Sequence, residues 1–139
     1  MDTSFYALGF PSDEEFVKRS KLLRELNFGA HEGLHFDNLT DQEKMRFMDP
    51  EFRADGGESW SDVRARAIKH FKTFDSGSAH LVFTHGGLIA SYLNYHFGEE
   101  MEQMPSNGSF VGVALREDGS GEPDHIDFSW QFPYIEEDI

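Results

Sequence analysis

The hydrophobic positions of the chain follow a helical period in its middle and a strand period near its end. Apolar residues recur every three or four positions in two stretches, which places them on one helix face each: Trp60, Val63, Ala67, Phe71 and Phe74, then Leu88, Ile89, Tyr92, Leu93 and Phe97. Strict alternation at Ile126, Phe128, Trp130 and Phe132 is typical of a strand. The pattern therefore predicts two helices that face a core and one clear strand.

Two shorter runs predict further strands. His80–Thr84 is apolar and bounded by polar residues, which is typical of a buried strand. Phe110–Leu115 reads as another strand, and Glu117–Gly121, with its Asp-Gly pair, as a turn. Strands interspersed with helices indicate an α/β layered fold, and 139 residues allow a single domain over residues 1–139.

Three sequences of the capping-box type predict where helices begin. Ser12 to Glu15 would open a short helix through Arg19, and Thr40 to Glu43 a helix that Pro50 must end. Ser59, with Asp62 three residues on, would begin the helix of the Trp60–Phe74 stripe. Lys21–Gly33 is predicted to be loop and turn.

Charge narrows the possible partners. The chain has 26 acidic against 12 basic residues, a net charge of −14 with histidine neutral. Such a chain repels phosphate backbones and anionic lipid, so binding to nucleic acid or a membrane surface is not expected. An anionic substrate would need a locally positive pocket to offset the repulsion from this net negative charge.

Cysteine usage and the N-terminus indicate the compartment. The chain has no cysteine, which excludes disulfides, Cys-based zinc sites and thiol nucleophiles, and a reducing cytoplasmic location fits. No secretory signal opens the sequence, and no apolar run approaches the length of a membrane span.

Thr84-His85-Gly86-Gly87 is the first candidate site. It lies between a predicted strand and a predicted helix, where ligands of open α/β sheets bind and where free helix N–H groups attract anions. His85 can carry a positive charge beside a phosphate, and Gly86 permits close approach of the backbone. The alternative is a histidine bonded to backbone beside two turn glycines.

A second candidate is the loop from Leu23 to Gly33, which carries Glu25 and Glu32. A carboxylate near a phosphate is driven towards its protonated form by like-charge repulsion, which suits a general acid. The alternative is solvated loop charge.

A third pattern, His31-Glu32-Gly33-Leu34-His35, matches the H-E-x-x-H signature of zinc peptidases. The signature requires a helix, and Gly33 inside it disfavours one by about 1 kcal/mol relative to alanine. A zinc peptidase therefore stands as the less favoured alternative, and no metal is expected.

Three ordered segments resemble the histidine phosphatase superfamily, also called phosphoglycerate-mutase-like. They are L-x-E-x-x-F-G-x-x-E-G from Leu23, G-E-S-x-x-D-x-x-x-R from Gly57, and the THGG segment with its flanking elements. The resemblance implies a three-layer α/β sandwich. It also implies hydrolysis or transfer of a small phosphorylated substrate through a phosphohistidine, without metal or cofactor.

The resemblance assigns roles to four residues. Glu25 matches the proton donor to the leaving group, and His85 the second histidine, which binds the transferring phosphoryl group. Gly86 matches the backbone donor beside it, and Asn107 resembles a polar residue that precedes the next strand. Substrate choice would lie in variable loops such as Asp37–Asp55.

The chain departs from the family at its hallmark, because it contains no Arg-His-Gly sequence to supply the nucleophilic histidine and a phosphate-binding arginine. Met1–Phe5 resembles the residues after the family's second arginine. The resemblance thus implies a chain that begins inside the family domain, is catalytically silent and exposes a sheet edge through which it could form a homo-oligomer. A non-catalytic phosphate-binding or interaction module is the alternative.

Overall fold

The computed structural model describes residues 17–97 and 105–127, which form three α-helices and one β-hairpin. The helices are α1 (Asp41–Met48), α2 (Trp60–Phe71) and α3 (Gly86–Phe97), and the strands are β1 (Gly112–Leu115) and β2 (Pro123–Asp127). Three short 3-10 turns precede them, at Lys21–Leu23, Gly29–His31 and Phe36–Asn38. None of the helices in these two ranges is long and apolar enough to cross a membrane.

Two of the predicted capping boxes are confirmed. Thr40 Oγ1 accepts a hydrogen bond from Glu43 N–H, and the Glu43 carboxylate accepts one from Thr40 N–H at 2.8 Å. Ser59 and Asp62 make the same reciprocal pair at 3.1 and 2.9 Å, with Ser59 fully buried. Each box satisfies N–H groups that a first helical turn leaves without partners, so both helices begin where the sequence predicts.

The core lies between α2 and α3, closed on one side by the loop that follows the first 3-10 turn. The two predicted helix stripes supply five of the seven buried residues of the core cluster, the predicted alternating strand supplies Ile126 and the predicted loop supplies Leu26. The seven are Leu26, Val63, Ala67, Leu88, Tyr92, Leu93 and Ile126. Full burial of one Leu side chain such as Leu88 or Leu93 contributes roughly 1.5–3 kcal/mol. The α3 helix, which begins directly after Thr84 and His85, is thereby held against α2.

The antiparallel hairpin packs on this helix pair through Ile126 and through its turn. Val113 pairs with Ile126 and Ala114 with His125, and a register shift follows at Leu115. The buried Tyr92 hydroxyl on α3 donates a 2.9 Å hydrogen bond to the Gly121 carbonyl, and burial raises the pKa of this phenol well above its ordinary value. The predicted Phe110–Leu115 strand and the Glu117–Gly121 turn are confirmed, with β1 two residues shorter.

Two predicted elements differ in the structure. His80–Thr84 is not a strand, because a strand exists only as part of a hydrogen-bonded ladder and no described residue pairs with this run. The α2 helix ends at Phe71 rather than Phe74, since turns at residues 72–77 take over there. Phe74 still packs on Phe71, with ring centroids 5.6 Å apart.

Other predictions fall partly or wholly outside the described ranges. Residues 17–19 of the predicted Ser12–Arg19 helix are not helical, and the rest of it lies outside. The described ranges also leave out Met1–Phe5 and the later positions of the alternating strand, Phe128, Trp130 and Phe132.

Candidate active site

A cleft of about 340 Å³ opens at the N-terminus of α3. Ten residues line it, drawn from the loop before Asn27, the start of α3 and the segment before β1: Glu25, Thr84, His85, Gly86, Ile89, Pro105, Ser106, Asn107, Gly108 and Ser109. None of these lining residues is lysine or arginine. The attraction for an anion must come from His85, from backbone N–H groups and from the positive end of the α3 dipole.

Glu25 reaches the first turn of α3 from a distant part of the chain. Its Oε2 accepts a 3.1 Å hydrogen bond from Gly87 N–H, and its Oε1 accepts a 2.9 Å bond from Leu26 N–H. A Cβ at Gly87 would lie 2.3 Å from Oε1, so the carboxylate can occupy this position only because residue 87 is glycine. The two candidate segments predicted from the sequence therefore meet in one site.

The loop carrying Glu25 is held against the start of α2. Glu58 Oε2 accepts a 3.0 Å hydrogen bond from Asn27 N–H, and Glu58 N–H donates to the Asn27 carbonyl at 2.9 Å. Burial raises the pKa of Glu58, but bonds from the Arg66 guanidinium and from Asn27 N–H outweigh it and hold that pKa below its ordinary value. Glu58 therefore stays ionised at neutral pH.

Gly29 allows the same loop to approach the segment before α2. Its φ of +54° lies in the left-handed region, and a Cβ there would lie 2.3 Å from the Asp55 carbonyl oxygen. Both the conformation and the space require glycine. The glycine of the F-G pair in the Leu23–Gly33 motif is thus required for close packing of two backbone segments, and it does not line the cleft.

His85 is exposed at the mouth of the cleft, at the position that precedes α3. Its carbonyl accepts the hydrogen bond of Ile89 N–H at 3.1 Å, which begins the helix. Just before it, the Thr84 hydroxyl donates a 2.8 Å bond to the Leu23 carbonyl. This bond ties the segment entering α3 to the loop that carries Glu25.

The opposite wall of the cleft is the turn from Ser106 to Ser109. Ser109 N–H donates to the Ser106 carbonyl at 3.1 Å, and Asn107 is exposed at the tip. The Pro105 carbonyl lies close to Gly86, where an added Cβ would stand 3.3 Å from it. Serine and asparagine side chains here offer neutral hydrogen-bond donors to the cleft, which His85 also lines.

The His31–His35 segment does not form the helix that the zinc-peptidase signature needs. His31 ends a 3-10 turn, Gly33 has a φ of +77°, and the Glu32 carboxylate accepts a 2.8 Å bond from Phe28 N–H. The His31 ring stacks edge-on against Phe47 at 5.2 Å. Residues 17–97 and 105–127 contain no group of three ligating side chains placed to hold a metal.

All four residues singled out from the sequence, Glu25, His85, Gly86 and Asn107, line the same cleft. Glu32, the second loop carboxylate, is not among the lining residues. The sequence did not predict the role of Gly87. Its N–H binds the Glu25 carboxylate, and its lack of a Cβ leaves room for that carboxylate. The doubled glycine after His85 was its only signal, and spacing alone could not identify its partner 62 residues away.

Comparison with known proteins identifies a family for the chain. The family model described as the histidine phosphatase superfamily (branch 1) matches residues 12–120, which include Glu25, His85, Gly86 and Asn107. Neither a search of curated proteins nor a search of solved structures gives a match.

Proposed function

Because the chain belongs to the histidine phosphatase superfamily, we propose that its cleft binds the phosphoryl group of a small phosphate monoester. In this proposal His85 and the Gly86 backbone hold the phosphoryl oxygens, and Asn107 donates to them from the opposite wall. Glu25 is the proton donor to the leaving group. The reaction class is phosphatase or phosphomutase.

The observation that carries the proposal is the meeting of Glu25 and His85 in one cleft. They belong to segments 60 residues apart, yet Glu25 hydrogen-bonds Gly87, two residues after His85. A proton donor must lie within hydrogen-bond reach of the group that leaves, and a phosphate ligand must touch the group that transfers. One cleft that holds a candidate for each role meets both requirements.

Transfer through a phosphohistidine belongs to the proposal only for a form that contains the nucleophile. The 139 residues contain no Arg-His-Gly sequence. Loss of the nucleophile from a concerted catalytic set costs on the order of 10⁶-fold. We therefore propose that these 139 residues bind phosphate monoesters without turning them over, within the three-layer α/β sandwich of the family.

Titration of the chain with inorganic phosphate and vanadate, followed by NMR, tests the binding proposal. We expect saturable shifts at the Gly86 and Asn107 amides, and a loss of at least about tenfold in affinity in His85→Ala, since a hydrogen bond to a charged group contributes roughly 1.5–3 kcal/mol. His125→Ala is the control, because His125 is exposed on β2. Equal affinity of His85→Ala and the unaltered chain would contradict the assignment.

Turnover of p-nitrophenyl phosphate separates catalysis from binding. The missing Arg-His-Gly sequence favours a phosphate-binding module for the chain as given, with binding but no turnover. Adding a segment that contains Arg-His-Gly, in cis or as a separate piece, should restore turnover. Clear turnover by the 139 residues, abolished by His85→Ala, would make His85 the nucleophile instead.

A further inference from the structure

Arg66 on α2 makes an unusually complete set of hydrogen bonds for a side chain outside the cleft. Its Nη1 donates to the Leu22 carbonyl at 2.7 Å, and its Nη2 donates to the Glu25 carbonyl at 3.0 Å. Its Nε and Nη2 also bind the two carboxylate oxygens of Glu58 at 3.0 and 3.2 Å. The Arg66 side chain, only 14% exposed, thus binds the loop both within the Lys21–Leu23 turn and at Glu25.

Glu58 binds the backbone on the other side of Glu25. The carboxylate that pairs with Arg66 also accepts the N–H of Asn27, two residues after Glu25. Between these contacts, Leu26 is buried in the core. The backbone of residues 22–27 is therefore tied to Arg66 and Glu58 at four atoms, namely Leu22 O, Glu25 O, Asn27 N and Asn27 O.

The position of the Glu25 carboxylate depends on this backbone. Its bond to Gly87 N–H joins the loop to α3, while the Arg66 bonds join the same residue to α2. Arg66 holds the Glu25 carbonyl and Gly87 N–H binds the Glu25 carboxylate, so a shift of the backbone moves the carboxylate from its place at the start of α3. A misplacement of about 1 Å at a reacting group can cost on the order of 10²-fold in rate.

We propose that Arg66, paired with Glu58, is a positioning residue that holds the proton donor Glu25 at the N-terminus of α3. The assignment of Arg66 rests on the proposed function of Glu25. Lysine cannot replace it, because one ammonium group lacks the planar fork that reaches two carbonyls and a carboxylate together. Arg66 is the arginine of the G-E-S-x-x-D-x-x-x-R motif. It thus positions a residue of the cleft by binding the backbone of the loop that carries Glu25.

The test reads the Gly87 amide proton by NMR in a double-mutant cycle on the full chain. Glu25→Ala sets the position of this resonance when no carboxylate binds it. We expect Arg66→Lys to move the resonance most of the way to that position, and to move it no further in the Glu25→Ala background. A merely structural role would lower the melting temperature equally in both backgrounds and leave the Gly87 amide in place.

Two comparisons sharpen the result. Arg53→Lys is the matched control, because Arg53 is 59% exposed and pairs with Asp62 on the surface; it should leave the Gly87 resonance unchanged. Glu58→Gln keeps the Arg66 bonds to both carbonyls possible, so it should move the resonance less than Arg66→Lys. If Arg66→Lys leaves the resonance in place, or shifts it equally with and without Glu25, the proposal is wrong.

Phosphate titration of the same variants separates this proposal from the proposed function. If the unaltered chain fails to bind phosphate while the Gly87 coupling is present, the phosphate site is wrong and the positioning network stands. If phosphate binds normally and the coupling is absent, the positioning network is wrong.

Discussion

At the residue scale, the contact between Glu25 and Gly87 decides how the cleft is built. The Glu25 carboxylate fills the space that a side chain at residue 87 would take, and it satisfies an N–H of the first turn of α3. An anion that enters this end of the helix meets a carboxylate already in place.

Gly87→Ala should therefore displace Glu25 rather than unfold the chain. The new Cβ meets the end of a flexible side chain, 2.3 Å away, which can move aside. Loss of the Glu25 hydrogen bond costs about 1 kcal/mol, and alanine gains about 1 kcal/mol over glycine in a helix, so the net change in unfolding free energy is small. The measurement is the ¹³C resonance of the Glu25 carboxyl together with a urea melt.

Gly86→Ala, one residue earlier, provides the comparison. Among the described residues its Cβ would meet only the Pro105 carbonyl, at 3.3 Å, so the Glu25 carboxyl resonance should stay in place. An unmoved Glu25 resonance in Gly87→Ala, or an equal shift in both variants, would contradict the role given to Gly87.

At the scale of elements, two helices begin with the same capping box but differ in what they pack against. The α1 helix has no buried residue, whereas α2 buries Val63 and Ala67 and carries Arg66. Ser59→Ala should lower the free energy of global unfolding by about 1–2 kcal/mol, because α2 is part of the core. Urea denaturation measures this loss.

Thr40→Ala is the matched control, because it removes the same type of cap from a helix outside the core. We expect a smaller loss of global stability and a local increase in amide exchange in α1. Equal losses in the two variants would show that α1 unfolds together with the core.

These elements also show what the sequence could and could not predict. Capping boxes and apolar stripes are local, so α1, α2 and α3 follow from a few adjacent residues each. The meeting of Glu25 with Gly87, and of Arg66 with two carbonyls, depends on how distant segments pack. The apolar run His80–Thr84 has the composition of a strand, but strand formation depends on a pairing partner, which composition does not specify.

At the scale of the whole molecule, the proposed site lies in a negative electrostatic potential that disfavours an anionic ligand. The chain carries a net charge of −14, and the cleft lining has no lysine or arginine to offset it. A phosphate dianion is therefore repelled at long range and attracted only within the cleft, by His85, N–H groups and the α3 dipole. Salt screens the long-range repulsion much more than the short-range attraction, so the dependence of phosphate affinity on ionic strength distinguishes the two effects.

Phosphate affinity should rise as ionic strength increases from about 0.01 M to about 0.15 M, where the screening length falls from roughly 30 Å to roughly 8 Å. Screening at this scale removes much of the repulsion from distant carboxylates and leaves contacts of about 3 Å nearly intact, so we expect a gain of roughly tenfold. Titrations in sodium gluconate, whose bulky anion competes poorly for the cleft, measure it. A steady loss of affinity with added salt would contradict this account, because it would mean that screening weakens the attraction by His85 and the α3 dipole more than it weakens the repulsion by distant carboxylates.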